Sequence, residues 1–537
     1  MRMISAAGRA AAAGLLLTLA VAESGDASGD GGALPEPPRV VVDTTPPRRA
    51  GRTIAVHEGG DLQAALERAR PGDSILLEAG AIFTGSFVLP RKDGEGWIVV
   101  RTSAPDERLP PPGTRITPEY APVLPRIVSP GPEPALRTAA GAHHYRVVGV
   151  EFTLAPGVDL NYNLILLGDF GQSSLEQVPH HLILDRVYVH GAPTANVRRG
   201  VTLNSAWTAV IDSCVSGVHE AGADSQAVGG STGPGPFKIV NNYLEGSGEN
   251  ILFGGADPKI AGLVPSDIEI RRNHVTKPLA WMKGHPDYAG LEWTVKNLLE
   301  LKNARRVLID GNLFEHNWPA AQSGFAILFT VRNQDGSAPW SVIEDVTFTN
   351  NVVRRVASAI NILGRDDNQP SRPTRRILIR NNLFEDVGGA PWGGRGRFLQ
   401  ILDGAAEVVV EQNTVFQTGD IIAAAGRPHT GFVYRNNVAP HNRYGVGGDD
   451  HFGDPMGTLR TYFPDVVFTG NVIVGGDPSR YPKCNSFPAA TKKHFAPRRK
   501  DAGAREPDGG EARPCPSGGV EPGADPDRLR AAHDAAR

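Results

Sequence analysis

One short run recurs down this chain. It is an apolar-alternating stretch that ends in an asparagine and re-enters an apolar pair. Ile239–Leu244 reads IVNNYL, Ile268–Val275 IEIRRNHV, Val307–Phe314 VLIDGNLF and Val346–Val353 VTFTNNVV. It returns as ILIRNNLF at Ile377–Phe384, VVVEQNTVF at Val408–Phe416, FVYRNNV at Phe432–Val438 and VVFTGNVI at Val466–Ile473. The anchors are Asn242, Asn273, Asn312, Asn351, Asn382, Asn413, Asn437 and Asn471, spaced roughly 24 to 39 residues apart. Each run has strand length and period two, and a repeat of 20–50 residues is the mark of stacked units. LILDRVYV (Leu182–Val189) and VIDSCV (Val210–Val215) fit the frame with Asp, and YRVVGVEF (Tyr145–Phe152) fits it with Gly149.

The physical reading is all-β: a single-stranded parallel solenoid. Asn and Gly tolerate the left-handed backbone that a sharp strand-to-strand bend needs. Asn side chains stacked at the strand spacing of about 4.8 Å can bond one another, while Val, Ile, Leu and Phe fill one continuous core. A sandwich or propeller with Asn-rich turns is the competing architecture, but tight two-residue hairpin signals are few. Over residues 53–480 the chain resembles the right-handed parallel β-helix (pectin-lyase-like) superfamily. That resemblance implies a capping helix over the open N-terminal end. Asp61–Ala69 (DLQAALERA), closed by Pro71-Gly72-Asp73, fits one, with Asp61 as N-cap.

Outside the solenoid the pattern changes. Residues 1–22 read as a secretory signal: Arg2 and Arg9, an apolar Ala10–Ala20 stretch, then Ala20-Val21-Ala22 as cleavage site. A secreted or periplasmic protein is expected, with no membrane insertion. Residues 23–52 read as a disordered linker and 481–537 as a largely disordered tail, with a short helix over Asp525–Ala536. The Pro-rich stretch 101–138 reads as a long excursion. Net charge is −3, and no basic stripe with interleaved aromatics points to nucleic acid. Nothing in the pattern asks for an oligomer, and a monomer is expected. Of three cysteines, Cys214 reads as a buried thiol, while Cys484 and Cys515 are candidates for a pair.

Chemistry is expected on the face carrying NLLELKN (Asn297–Asn303). Residues two apart share a face of a strand. With Leu299 and Leu301 inward, Glu300 and Lys302 point out. Stacking then predicts one external column of Asn250, Glu300, Thr330, Asn361 and Gln400, and a second near Lys302, Arg332, Arg365, Asp366 and Asp403. Salt bridges on a solvated face would give the same charge pattern. Trp281, Trp293, Trp318 and Trp340 lie on the intervening loops, where flat faces suit sugar rings or loop packing. His219, Glu220, Asp224, Ser225 and Gln226 form a second polar segment in a Gly-rich loop.

A lyase needs a base for the proton beside a uronate carboxylate and a cation to neutralise that carboxylate. Lys302 with Arg332 meets the need, Glu300 sits beside them, and Asn250, Asn361, Gln400, Arg365, Asp366 and Asp403 are the expected substrate contacts. Glu249 and Glu300, with Asn250, offer oxygens suited to Ca²⁺. The order Glu300-Leu301-Lys302 then Arg332-Asn333 loosely resembles the alginate- and chondroitin-lyase branch of the β-helix lyases. That resemblance implies an anionic polysaccharide as substrate, cleaved by β-elimination. The Glu–Lys spacing is tighter here than in that branch. Two other readings stand open: a glycoside hydrolase of the polygalacturonase type using Asp366-Asp367 and Asp403, and a non-catalytic polysaccharide or cell-surface binder.

Overall fold

The computed structural model describes residues 33–48, 50–489 and 522–536. The expected signal segment, 1–22, lies outside them. Three parallel sheets account for almost all of the described strands. The first has 14 strands, from Thr53–Val56 to Val467–Thr469; the second has 13, from Ile82–Thr84 to Val472–Val474; the third has 12, from Phe87–Leu89 to Val446–Gly448. The chain visits first, second and third sheet in turn and then returns one rung higher, which is a parallel β-helix. One hydrophobic column, from Val56 to Tyr481, fills its interior. Among the described residues no helix is long and apolar enough to cross a membrane.

The asparagine ladder stands at the bend from first to second sheet. The Asn273 backbone N–H donates to Asn312 Oδ1 at 2.9 Å and Asn273 Nδ2 to the same oxygen at 3.0 Å, while Nδ2 also reaches the Ile239 carbonyl at 2.9 Å. Every anchor from Asn242 to Asn471 repeats this pattern, and Asn485 continues it. The left-handed residue is the one before each anchor: Asn241, Arg272, Gly311, Asn350, Asn381, Gln412, Asn436 and Gly470 all have φ between 52° and 68°. The bend and the ladder are thus adjacent positions with separate jobs. Two expected members drop out. Asp185 pairs with Arg146 and Arg186, and Asp212 accepts from Asn241 and Gly113. Ser213 heads the ladder instead.

The ends are closed. Helix Leu62–Arg68 buries Leu62, Ala65 and Leu66, and the Asp61 side chain accepts from the Ala64 N–H. A second helix, Pro455–Tyr462, adds Leu459 and Tyr462 to the far end of the core.

Residues 33–48, within the expected disordered linker, and 103–125, within the expected excursion, have defined paths, which corrects the linker reading for its described part. Residues 33–48 run along the outer face of the first sheet. There Val42 packs on Ile183, Ala209, Ile211 and Val240, and the Thr44 carbonyl accepts from Arg146. Residues 103–125 cover Val99, Val148 and Cys214 with Leu109, Ile116 and Leu124; Arg126–Ser129 and Leu136–Thr138 are strands. Helix Pro526–Ala536, at the expected place, seats Leu529 and Ala536 against Leu313 and Val352 of the second sheet. Cys214 is a free buried thiol and Cys484 is disulfide-bonded; Cys515 lies outside the described residues.

Candidate functional site

The outer face of the third sheet carries the predicted residues, with corrections to their columns. Register places Leu252, Glu300, Leu328, Asn361, Gln400 and Ala423 in one outward row. Glu300, Asn361 and Gln400 therefore align as expected. Thr330 belongs to the next outward row, paired with Leu363, and reaches back diagonally to donate from Oγ1 to Glu300 Oε1 at 2.9 Å. Asn250 is the clear miss: it is fully buried. At the corner into this sheet two consecutive residues point inward on every rung, as Ala227-Val228, Leu298-Leu299, Ala326-Ile327 and Ala359-Ile360 show. Alternation fails at that corner, so Asn250 turns inside. There its side chain donates to the Leu244 and Thr276 carbonyls and accepts from Lys277 Nζ.

Around Glu249 and Glu300 the face holds a buried polar cluster. Glu249 Oε2 accepts from Gln226 Nε2 at 2.7 Å, and Lys296 Nζ lies 3.4 Å from Glu249 Oε1 while also pairing with Asp224. Glu300 Oε2 accepts from Asn297 Nδ2 at 3.0 Å, and Lys302 Nζ lies 3.9 Å from its Oε1. Burial pushes the Glu249 carboxyl above its ordinary pKa; Glu300 and Asp224 add to this, and Lys296 and Lys302 oppose it. Burial also works against the Lys296 ammonium, but Glu249 and Asp224 outweigh it and hold that amine above the usual lysine value. Lys296 is thus a standing positive charge. Lys296, Gln226 and Asn297 were not among the predicted catalytic or binding residues. Lys296 and Asn297 directly precede LLELK, and that adjacency was the available signal.

Three buried acceptor atoms in the cluster have no hydrogen-bond donor: Gln226 Oε1, Glu249 Oε1 and Asn297 Oδ1. Their residues are register partners on three successive rungs. An all-oxygen set with one carboxylate and two amides suits a hard cation such as Ca²⁺. Of the expected Ca²⁺ ligands Glu249, Glu300 and Asn250, only Glu249 belongs to this set; Asn250 Oδ1 accepts from Lys277 Nζ instead.

Arg332 follows Thr330 at the same sheet edge as Lys302; its backbone N–H donates to the Lys302 carbonyl at 2.9 Å. Its guanidinium gives Nη1 to Asp366 at 2.7 Å and to Asp367. Asp366 also accepts from the N–H groups of Asn333 and Asn368. Burial works to raise the Asp366 carboxyl, but those N–H donors and Arg332 outweigh it and keep it below the ordinary aspartate value. Asp366 is therefore an ionised latch for Arg332 rather than a proton donor. Further up, Gln400 Nε2 donates to Asn361 at 3.1 Å, and Arg397 donates to both Gln400 and Asp420. Arg365 and Asp403 sit at the bends that follow Ser358–Leu363 and Leu399–Leu402. Asp403 takes a left-handed φ of 54°.

Loops rise at both edges of this face. On one edge Trp281, Trp293 and Trp318 pack together with Val295, and His219 stacks on Trp293 at 3.9 Å. Burial pulls the His219 pKa down to about 4. These three tryptophans are loop core rather than sugar platforms, and Trp340 donates to the Leu263 carbonyl. Glu220 is held by Arg198. On the other edge Asp257 accepts from the N–H groups of Gln334, Asp335 and Ser337, tying two crossing loops together.

No family model matches this sequence, and no curated protein does. Solved structures do. The catalytic unit of a thermostable GH87 alpha-1,3-glucanase from Streptomyces thermodiastaticus superposes with a TM-score of 0.50 at 12% identity, over 80% of this chain and 70% of that one. The PL6 family alginate lyase AlyGC gives 0.48 at 16% identity, over 82% of this chain; the match spans about half (53%) of the lyase. A mannuronic acid specific family 6 lyase from human gut microbiota gives 0.43 at 10% identity, over 83% and 84%. The sheet architecture and the likeness to the glucanase agree on the fold class: the chain is a right-handed parallel β-helix.

Proposed function

We propose that this chain is a polysaccharide lyase that cleaves a uronic-acid-containing glycan by β-elimination on the outer face of its third sheet. The observation that carries the reading is the adjacency of Lys302 and Arg332, on neighbouring rungs at one sheet edge, with side chains 15% and 26% exposed. Lys302 is the base that takes the proton beside the uronate carboxylate. Arg332, its plane fixed by Asp366 and Asp367, faces the charge that develops on that carboxylate. The electron pair left by the proton forms a double bond to the adjacent ring carbon while that carbon's bond to the glycosidic oxygen breaks, and the departing oxygen takes up a proton from water. Glu300 orients Lys302. The cations of this face are paired with carboxylates, Lys296 with Asp224 and Glu249, Arg332 with Asp366 and Asp367, and Arg397 with Asp420. Asn361, Gln400 and Asp403 supply hydrogen-bonding positions for neighbouring sugars.

Gln226, Glu249 and Asn297, with Glu300 beside them, are the residues that would hold Ca²⁺. Such an ion would supply further neutralisation of substrate carboxylates. In the hydrolase reading an ionised Asp366 would serve as base or nucleophile, and the general acid would have to be another carboxyl. Export from the cell and a monomeric state accord with a polymer substrate and belong to the same proposal.

Incubation of the purified protein with a panel of polyuronates tests the reading. Ultraviolet-absorbing unsaturated product is expected from at least one of them. New reducing ends without ultraviolet absorption would replace the lyase with a hydrolase, and binding without any product would leave a binder.

A further inference from the structure

Four histidines converge on the first sheet, away from the polar face of the third. His143 begins strand His143–Val148 and His180 begins His180–Asp185, and the two are register partners on adjacent rungs. Consecutive strand residues ordinarily point to opposite faces. Here His144 and His181 adopt left-handed φ of 58° and 53°, which brings each ring back beside its neighbour's. His143 Nδ1 lies 2.8 Å from His144 Nδ1, and His180 Nδ1 lies 2.7 Å from His181 Nδ1. Between rungs the rings stack in two columns: His143 on His180 at 4.9 Å, and His144 on His181 at 4.5 Å. Trp207 stacks on His181 at 5.3 Å, and Trp97 meets His144 edge-on at 5.3 Å, so indole rings close that column at both ends.

We infer that this cluster is a binding site for a divalent late transition ion, Zn²⁺ or Cu²⁺. One ring nitrogen each from His144, His180 and His181 lies within 4.8 Å of the others, and His143 adjoins them. Ligands of one ion at about 2.0–2.1 Å stand roughly 3 Å apart, so the set closes by about an ångström of ring rotation. The within-rung Nδ1–Nδ1 pairs at 2.8 and 2.7 Å are hydrogen bonds whose shared proton an ion would displace. A donor set of imidazoles alone selects zinc or copper over Ca²⁺, which takes oxygens. Burial and the neighbouring rings favour neutral imidazoles, the form with a free lone pair: His181 is pulled down to about 4, and His144 and His180 are lowered too. The left-handed φ recurs at the same place on later rungs, at Trp207, Asp267, Arg306, Asp345, Arg376 and Glu407, so the fold itself sets each second ring beside the first. An ion here would clamp two rungs beside the Val42-bearing strap, so the site is a staple for the N-terminal third of the solenoid.

The test uses the untagged full chain, stripped with chelator and titrated separately with ZnCl₂, CuCl₂ and CaCl₂. Saturable binding of about one Zn²⁺ or Cu²⁺ per chain is expected, with a rise in Tm and no such response to Ca²⁺. The Cu²⁺ form should show imidazole nitrogen couplings in its electron paramagnetic resonance spectrum. In H144Q/H181Q, checked for fold by circular dichroism, affinity should fall at least tenfold and the Tm rise should vanish. Should that variant fail to fold, H180Q and the nitrogen couplings of the wild-type Cu²⁺ form decide instead. No saturable binding by the wild type, a spectrum without nitrogen donors, or unchanged affinity in a folded variant would each overturn the assignment. None of these readouts depends on polysaccharide cleavage.

Discussion

Lys277 Nζ donates to Asn250 Oδ1 at 2.9 Å inside the wall of the solenoid, and the same nitrogen donates to the carbonyls of Gly246, Ser247 and Gly248 at 2.6, 3.0 and 3.0 Å. Burial pulls this amine down to about 7, with Glu249 opposing. Four acceptors around one nitrogen suit an ammonium, with three hydrogens, better than a neutral amine with two. The residue therefore gathers the turn that delivers Glu249 to the outer face. Lys277→Met should cost roughly 3–5 kcal/mol, because it leaves buried acceptors without a donor. Urea unfolding checks this, and a loss below about 1 kcal/mol would show that the turn holds itself.

The ladder makes a separate prediction. Asn312 Oδ1 accepts from both nitrogens of Asn273, and its Nδ2 donates to the Ile270 carbonyl at 3.0 Å and to Asn351 Oδ1. Asn312→Leu fits the volume but strands the Asn273 N–H and the Ile270 carbonyl. A destabilisation of about 1–3 kcal/mol is expected. One equilibrium urea curve of the variant against wild type measures it, and coincident midpoints would show that the ladder bonds add nothing net at this rung.

How much was legible in the sequence depends on periodicity. The ladder asparagines declared the solenoid because a turn residue at a fixed place in every rung leaves a repeat in the letters. Glu300, Lys302, Asn361 and Gln400 were legible as outward because mid-strand alternation is strict. Asn250 was not, because two consecutive residues turn inward at the corner before each third-sheet strand, and that breaks period two without changing composition. Lys296 and Gln226 reach Glu249 from a loop and from the preceding rung, so their meeting depends on register rather than local sequence. The four histidines stood as two HH pairs 37 residues apart (143 to 180), and only the register of the first sheet brings them together.

Glu315 sets a pH dependence with a definite sign. Burial works to raise its carboxyl, but His274 Nε2 at 2.8 Å and Arg354 Nε at 2.7 Å outweigh it and bring the pKa down to about 2. The unfolded chain binds this proton near the ordinary glutamate value of about 4.3, so between there and about 2 the unfolded state holds more protons than the folded one. The stability from this group is full above that window and is lost as pH falls through it, on the order of 2–3 kcal/mol. Glu315→Gln should lose this part of the acid dependence. Urea unfolding at pH 6 and pH 3 for both proteins measures it, and an equal loss of stability in the two would remove Glu315 as the cause.

The functional reading stands on Lys302. Its Nζ lies 3.9 Å from Glu300 Oε1 on a partly exposed edge, so its removal should change stability by less than about 1 kcal/mol. As the base of a β-elimination it should matter far more to turnover: Lys302→Ala is expected to lower kcat by about 10²–10⁴ with an unchanged circular dichroism spectrum. Arg332→Ala should lower kcat/KM comparably. Asp366→Asn tests the latch apart from the charge. It keeps the guanidinium but loosens its hold, so activity should fall by less than in Arg332→Ala, and more in kcat than in KM if Arg332 acts on the developing charge. A salt-bridged but uninvolved edge predicts three variants with wild-type rates. Activity of Lys302→Ala within about twofold of wild type, on a polyuronate that the wild type cleaves, would remove the base assignment and send the search to other groups on this face.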